Sequence, residues 1–400
     1  MANFPIDKTY FCRKVRKKLR TPITITDLST LSALGSDRAT ILDSYSRALP
    51  LFQGRKINHE STWVSPVTDA VENDLRAIAQ ENQIYRELDR TVLMAIQAGR
   101  QLRLPNSEQS NVGVNIGSSR GATEKFEFYH QEYLESGQSS TLSSPTTTLG
   151  NISSWVAQDL GLDGPSMSHS VTCSTALHAV LNGIAWIQGG MADAFIAGGS
   201  EAPLTPFTVA QMKAMRLYSK AEDQFACQSL KLDKKSNTMV LGEAAGLVLL
   251  EKGESDRRLA TISGYGYASE ALEHPASISA TGQCFQRSMG MALETSGLNS
   301  VDVVVMHAPG TVKGDQAEME AIRTIFRNKI PQLTTNKYLI GHTLGASGVM
   351  SLEMALLMLQ HDKIIQNPFY PLSHSDRPVD SVMINAVGFG GNAVSILLTK

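Results

Sequence analysis

The sequence predicts an α/β fold built from two similar halves, on three observations. The chain has 400 residues, more than one simple core usually takes. Short β-branched apolar runs alternate with longer segments whose apolar residues recur at helical spacing. That alternation begins again near residue 256, although no literal sequence repeat is visible.

After a leader over residues 1–20, TPITITDLSTLSALG (21–35) reads as a β-branched strand ending in a turn, with Asp37 placed to cap a helix. Residues 86–103 put Leu88, Val92, Leu93, Ala95, Ile96 and Ala98 on one helical face, and NVGVNIGSS (111–119) follows as a buried strand. SSTLSSPTTTLGN (139–151) reads as a Ser/Thr-rich loop. SMSHSVT (166–172) is expected to be a strand feeding a sharp turn at Cys173. The helix after it carries Ala176, Leu177, Val180, Ile184 and Ile187 on one face and stops at Gly-Gly. Buried strands at 192–200 and 237–252 complete a first half, residues 21–255. The second half, 256–400, is expected to run as a strand at ATISGYGYA, a helix over 281–296, a strand over 301–308 and a helix from Asp315. A long helix over 343–361 and the strand pair SVMINAV and NAVSILLTK close it.

Composition excludes several classes of function. With 42% hydrophobic and 18% charged residues, 31 glycines and a net charge of −2, the chain is neither disordered nor a nucleic-acid binder as a whole. Cys12, Cys173, Cys227 and Cys284 are widely separated and form no C-x-x-C pair, which disfavours zinc and a disulfide framework. No apolar run is long enough to span a bilayer and no secretory signal is evident, so cytoplasmic residence is the expectation. The leader is the exception to the even charge. CRKVRKKLR (12–20) has six basic side chains and an apolar stripe of Phe11, Val15 and Leu19. It reads either as a solvated leader packed on its own domain or as a basic amphipathic helix for an anionic membrane or acidic protein.

Cys173 is placed where a strand ends and a helix begins, beside unsatisfied backbone N–H groups and the positive end of the helix dipole, which favours thiolate over thiol. The arrangement resembles a nucleophile elbow with built-in oxyanion donors. Taken alone, a cysteine among apolar residues is more often core filler. Two loops change that balance. HAPGTVKGDQAE (307–318) sets His307 just past a buried strand, and TTNKYLIGHTLGASG (334–348) offers Lys337 and His342 on a glycine-punctuated connection. One cysteine, two loop histidines and a lysine suit thioester chemistry. His178 and the remaining histidines read as structural, and Cys227 and Cys284 as inert.

Taken together, TCSTALHA with Cys173, AFIAGGSEA (194–202), GEAAGLVLLE (242–251), HAPGTVKGD with His307, NKYLIGHTLGASG with Lys337 and His342, and GFGGNA (388–393) resemble one family. They resemble the β-ketoacyl-[acyl carrier protein] synthases of fatty-acid and type II polyketide assembly, from about residue 22 to the C-terminus. The resemblance implies the thiolase fold, two α/β halves stacked as five layers (αβαβα), and a dimer. It implies a two-stage reaction in which an acyl chain passes from acyl carrier protein to Cys173 and then condenses with malonyl-carrier protein as CO₂ leaves. It further implies N–H donors of Cys173 and Phe389 as an oxyanion hole, Phe389 and Gly390 in a gate, His307 and His342 as neutral donors to the malonyl thioester, and Lys337 orienting His307. Glu318 is implied as a buried acid that pairs with Lys337. No cofactor is implied beyond the phosphopantetheine arm of the carrier protein.

The chain departs from the family pattern at three places. GFGGN stands where GFGGTN is usual, HAPGT where HGTGT is commoner, and GEAAG where GEGAG is, so that Pro309 and Ala244 stiffen two positions near the site. These changes bear on substrate preference and point to a specialised polyketide or polyene pathway. The alternatives are a partner subunit of the chain-length-factor type in a heterodimer, although such subunits typically lose the cysteine that is kept here, and a lipid-binding protein of the same fold.

Overall fold

Runs of Val, Ile and Thr broken by Gly and Asn are what a buried pleated sheet accommodates, and they supply the strands of the computed structural model. It describes residues 21–105, 111–149, 151–271, 278–327, 329–371 and 378–400; the basic leader with Cys12 lies outside these residues. The first part of the chain forms β1 (Ile23–Leu31), the hairpin β2 (Gln53–Ile57) and β3 (Glu60–Ser65), β4 (Val112–Gly117), β5 (Ser166–Met167), β6 (Ala194–Glu201), β7 (Leu241–Gly242) and β8 (Ala244–Lys252). The second forms β9 (Ala260–Ser269), β10 (Val303–Val305), β11 (Gln332–Thr334), β12 (Ser381–Val387) and β13 (Asn392–Thr399).

The helices before residue 200 are α1 (Arg38–Arg47), α2 (Asp69–Glu81), α3 (Gln83–Arg86), α4 (Arg90–Arg100), α5 (Thr123–Ser136), α6 (Ser143–Thr147), α7 (Asn151–Asp159) and α8 (Thr175–Gln188). After it come α9 (Pro206–Ala214), α10 (Gln283–Ser296), α11 (Val312–Phe326), α12 (Lys337–Ile340) and α13 (Ser347–His361).

Strand order carries the duplication that the amino-acid sequence does not spell out. From the centre outward, β1-β8-β6-β4-β5 on one side repeats as β9-β13-β12-β10-β11 on the other, and the two five-stranded sheets join where β1 meets β9 antiparallel. Side-chain alternation then sorts the layers. On β6, Ala194 and Ile196 pack outward with α2, α4 and α7, whereas Phe195 and Ala197 pack inward with α8 and α13. On β10, Val303 and Val305 face the same central helices and Val304 faces α10 and α11. The layers are therefore helix, sheet, helix, sheet, helix, with α8 and α13 in the middle. Apolar residues surround both central helices, because both their faces are buried.

Several expectations are corrected. The run 237–252 is not one strand: it breaks at Glu243, whose carboxylate accepts from Val67 N (3.1 Å) and from two Arg90 nitrogens (2.9 Å each). β7 consequently pairs with β3 and only β8 enters the main sheet. Of SMSHSVT, Ser166 and Met167 alone pair with β4, since the Ser153 hydroxyl takes the Met167 carbonyl and His169 O accepts from Ser118 N. The segment 139–151 contains α6 and the first residue of α7. Helix α11 starts at Val312, three residues before Asp315, because the Thr311 hydroxyl caps Gly314 N (3.1 Å). Asp37 does cap α1, at Thr40 N. Among the described residues no helix is long and apolar enough to cross a membrane.

Candidate active site

Four segments far apart in sequence meet at one pocket of about 120 Å³ that opens to solvent. Its walls include Cys173, His307, His342 and Phe389, together with Met212 and Leu344. The connection from β5 to α8 delivers the cysteine. Thr172 there takes φ +49°, a backbone region unfavourable for a β-branched residue. Hydrogen bonds hold it: the Thr175 hydroxyl donates to Thr172 O (2.6 Å) and accepts from Val171 N (2.8 Å). Ser174 is the N-cap residue, so Cys173 sits one position outside the helix, with its side chain 6% exposed.

Burial reverses the expectation of a thiolate. It pushes the Cys173 thiol up to about 12, with the Glu201 carboxyl adding to the rise and Lys337 pulling the other way. The free sulfur is a thiol, and a nucleophilic step needs a group that accepts its proton.

His307 follows β10 at the mouth of a loop clamped from below. The Glu318 carboxyl accepts from His307 N (3.0 Å) and Ala308 N (2.9 Å), with Asn385 Nδ2 also on it (3.1 Å). These bonds correct the expected pairing of Glu318 with Lys337. Glu318 spends its oxygens on backbone amides and Asn385, and the buried Lys337 Nζ has no hydrogen-bond partner. Desolvation brings Glu318 up to about 7 and Lys337 down to about 8, each opposed by the other's charge.

His342 stands between α12 and α13, fixed by His342 N on Val240 O (2.7 Å) and Gly242 N on His342 O (3.1 Å). Its ring meets that of His307 edge to face, centroids 5.2 Å apart. Burial first, and then the Lys337 charge, hold both imidazoles well below their ordinary value, so both are neutral near pH 7. Nδ1 of each ring is buried without a protein partner, and each neutral ring has one nitrogen that donates and one that accepts.

Phe389 begins the tight turn between β12 and β13. Gly390 (φ +98°) and Gly391 (φ +68°) occupy left-handed conformations that their lack of a side chain permits. The Thr172 hydroxyl donates to Phe389 O (3.4 Å), tying this turn to the cysteine. Lys337, Glu318 and Gly390 are outside the cavity wall. His178 stays in its helix, its Nδ1 on Ser174 O (3.1 Å). Cys227 and Cys284 are buried thiols, both raised by desolvation.

Two carboxylates escaped the sequence reading. Glu201, at the end of the apolar run AFIAGGSEA, accepts from Ser119 N (2.6 Å), Arg120 N (3.0 Å) and Gly345 N (2.8 Å), and is raised to about 7 by burial. A lone acid ending a buried strand was the available signal. Asp315 forms a buried ion pair with Lys234 (2.5 Å) and holds Gly310 N and Leu230 N, fixing the loop after His307.

Comparison with known proteins agrees with this geometry. The β-ketoacyl synthase N-terminal domain matches residues 61–256 and the C-terminal domain matches residues 259–369. The 3-oxoacyl-[acyl-carrier-protein] synthase 2 of Staphylococcus aureus is 28% identical, over 94% of this chain and 98% of that protein. Among solved structures, the ishigamide ketosynthase/chain length factor superposes with a TM-score of 0.83 at 19% identity, over 95% of this chain and 99% of that one. A β-ketoacyl synthase from Burkholderia phymatum STM815 gives 0.81 at 23% identity, over 95% and 99%. The five-layer architecture is thus the thiolase fold of the ketosynthases, and with both domain models matched in order over residues 61–256 and 259–369, the chain belongs to the β-ketoacyl synthase family.

Proposed function

We propose that the protein is a β-ketoacyl-acyl carrier protein synthase. The observation that carries this reading is the convergence of Cys173, His307, His342 and Phe389 on one pocket. In the first stage the Cys173 sulfur attacks the carbonyl of an acyl thioester on the phosphopantetheine arm of acyl carrier protein. The thiol proton ends on the departing pantetheine sulfur, so one thioester is exchanged for another. The N–H groups of Cys173 and Phe389 face the oxyanion; such a donor is worth about 2.7–4 kcal/mol where one has been removed from an enzyme.

In the second stage a malonyl thioester places its carbonyl oxygen on the ring N–H donors of His307 and His342. The bond to the carboxylate breaks, CO₂ leaves with the negative charge kept on the enolate, and the enolate carbon attacks the acyl-cysteine. A carbon–carbon bond forms, and the Cys173 thiolate departs and recovers its proton. Neutral rings suit this role, because each must donate a hydrogen bond without surrendering its proton. Burial keeps them neutral, and the charge of Lys337 adds to it.

The halves divide near residue 255, between β8 and β9, and the protein is read as cytoplasmic. Phe126, Tyr133 and Leu134 lie on one side of α5 and are more than half exposed, an apolar face suited to a second ketosynthase chain, identical or homologous. Retention of the cysteine and both histidines favours the condensing role over that of a chain-length-factor subunit. Purified protein incubated with acyl- and malonyl-carrier protein is expected to release CO₂ and form a 3-oxoacyl product, by mass spectrometry. Absence of both, with each substrate intact, overturns the reading.

A further inference from the structure

A cavity of about 480 Å³ opens to solvent at the far end of the middle layer. Leu356, Leu357 and Gln360, near the C-terminal end of α13, are in its wall, whereas the reactive pocket is bounded by Leu344, before that helix begins. The helical rise alone sets the two roughly 20 Å apart. Five consecutive residues of β1, Thr26 to Thr30, line the cavity. Successive side chains of a strand point to opposite faces, so a cavity that meets all five meets the strand along its edge.

That edge is open. β8 pairs with β1 from Ile23 to Leu31, but β9 pairs with it only from Ile23 to Ile25 and then runs along β13. Beyond Ile25 no strand among the described residues meets this side of β1, and Leu28 N donates to the neighbouring Asp27 Oδ1 (3.0 Å). An unpaired strand edge is a template for a further strand, and an extended peptide binds such an edge through main-chain hydrogen bonds. The charge beside the edge selects the peptide. Arg38, Arg103 and Arg257 line the cavity and are exposed. Arg257 is tied to Glu251 and to Arg103 O, and Arg38 to the uncharged Gln360, while no described carboxylate pairs with the Arg103 guanidinium. Of the two acids in the wall, Asp27 holds Leu28 N and Arg103 N (2.7 Å), and Glu353 is buried under the hydroxyls of Thr30 and Tyr45. The cationic groups therefore face the opening.

We infer that this cavity is a docking site for an acidic, extended peptide segment of a partner protein, which adds a short strand to the open edge of β1. On β1, Thr30 points to α13, where its hydroxyl meets Glu353, and Ser29 points the other way, to Gln101 (2.9 Å). The same alternation in an added strand sends every second side chain to the apolar Ile41, Leu356 and Leu357, and those between to Arg103 and Arg257. Alternating apolar and acidic residues fit, and a basic segment meets like charge. The site shares no wall residue with the reactive pocket, so it stands independently of the proposed condensation.

The test follows the fluorescence anisotropy of fluorescein-labelled Glu-Val-Glu-Val-Glu titrated with the full-length protein. Saturable binding that weakens with added salt is expected. A copy with its backbone amides N-methylated keeps the charge and side chains but loses the strand hydrogen bonds, and is expected to bind about tenfold or more weakly. Lys-Val-Lys-Val-Lys is expected not to bind. Arg103→Glu changes an exposed side chain and is expected to weaken the acidic peptide about tenfold. Amide hydrogen exchange over residues 26–31 is expected to slow when the acidic peptide is added to the unaltered protein. Absence of binding, equal binding of the N-methylated or the basic copy, unchanged affinity in Arg103→Glu, or exchange that slows only elsewhere overturns the inference. None of these outcomes bears on acyl transfer to Cys173.

Discussion

The two halves of the molecule share a strand order and diverge in the chemistry they present. In each, the loop after the second strand from the edge is held by a buried carboxyl that accepts two consecutive backbone N–H groups. Glu201 holds Ser119 and Arg120; Glu318 holds His307 and Ala308. In each, the connection from the edge strand to a central helix carries a reactive group, Cys173 before α8 and His342 before α13. The scaffold is therefore repeated and the charge is not. The first half supplies a cysteine thiol, and the second supplies two neutral imidazoles and an ammonium. Duplication gave two equivalent loop positions on facing sheets, and in the proposed reaction the side chains placed there divide acyl transfer from decarboxylation.

The largest test of this division removes the nucleophile. Cys173→Ala is expected to lower condensation by at least about 10⁴-fold, measured as 3-oxoacyl product. A variant that still condensed acyl and malonyl groups would place the chemistry elsewhere.

Lys337 sharpens the comparison, since its charge acts on both halves. The group is lowered to about 8, so it loses its charge as the pH rises through that value, and condensation is expected to decline above about pH 8. Lys337→Met is expected to cost roughly 10- to 100-fold and to abolish that alkaline limb. It also removes one of the causes that lower His307 and His342, so the acid limb moves to higher pH. A rate profile unchanged in shape would contradict the role given to Lys337.

The smallest expected effect concerns the clamps. Glu201 and Glu318 are each raised from 4.5 to about 7, so the folded protein binds their protons more tightly than the unfolded chain does. Their contribution to stability is complete below about pH 4.5 and is lost as the pH rises towards about 7, by about 1–3 kcal/mol per group. Glu318→Gln is expected to flatten that part of the dependence of Tm on pH in scanning calorimetry. A slope as steep as that of the unaltered protein would show that the carboxyl is not the titrating group.

Much of this arrangement is legible in the sequence. The β-branched runs mark the buried strands, and the alternation restarting at 256 marks the repeat, because periodicity is a local signal. Cys173, His307, Lys337 and His342 stand out by residue type in loops. What escaped depends on contacts distant in sequence. The β2–β3 hairpin has exposed, charged positions in place of apolar alternation. The break at Glu243 is set by Arg90, which lies 153 residues away in the chain. Glu318 reads as the partner of Lys337 until its oxygens are seen on two amide groups.

The central claim is that the halves perform separable steps, and it is tested most directly in His307→Ala and His342→Ala. Each variant is charged with acyl-carrier protein and then given malonyl-carrier protein, with acyl-Cys173 followed by intact mass and CO₂ by release. Near-normal acyl-Cys173 with CO₂ release and product lowered roughly 10²- to 10³-fold is the predicted result. Equal loss of both steps would contradict it.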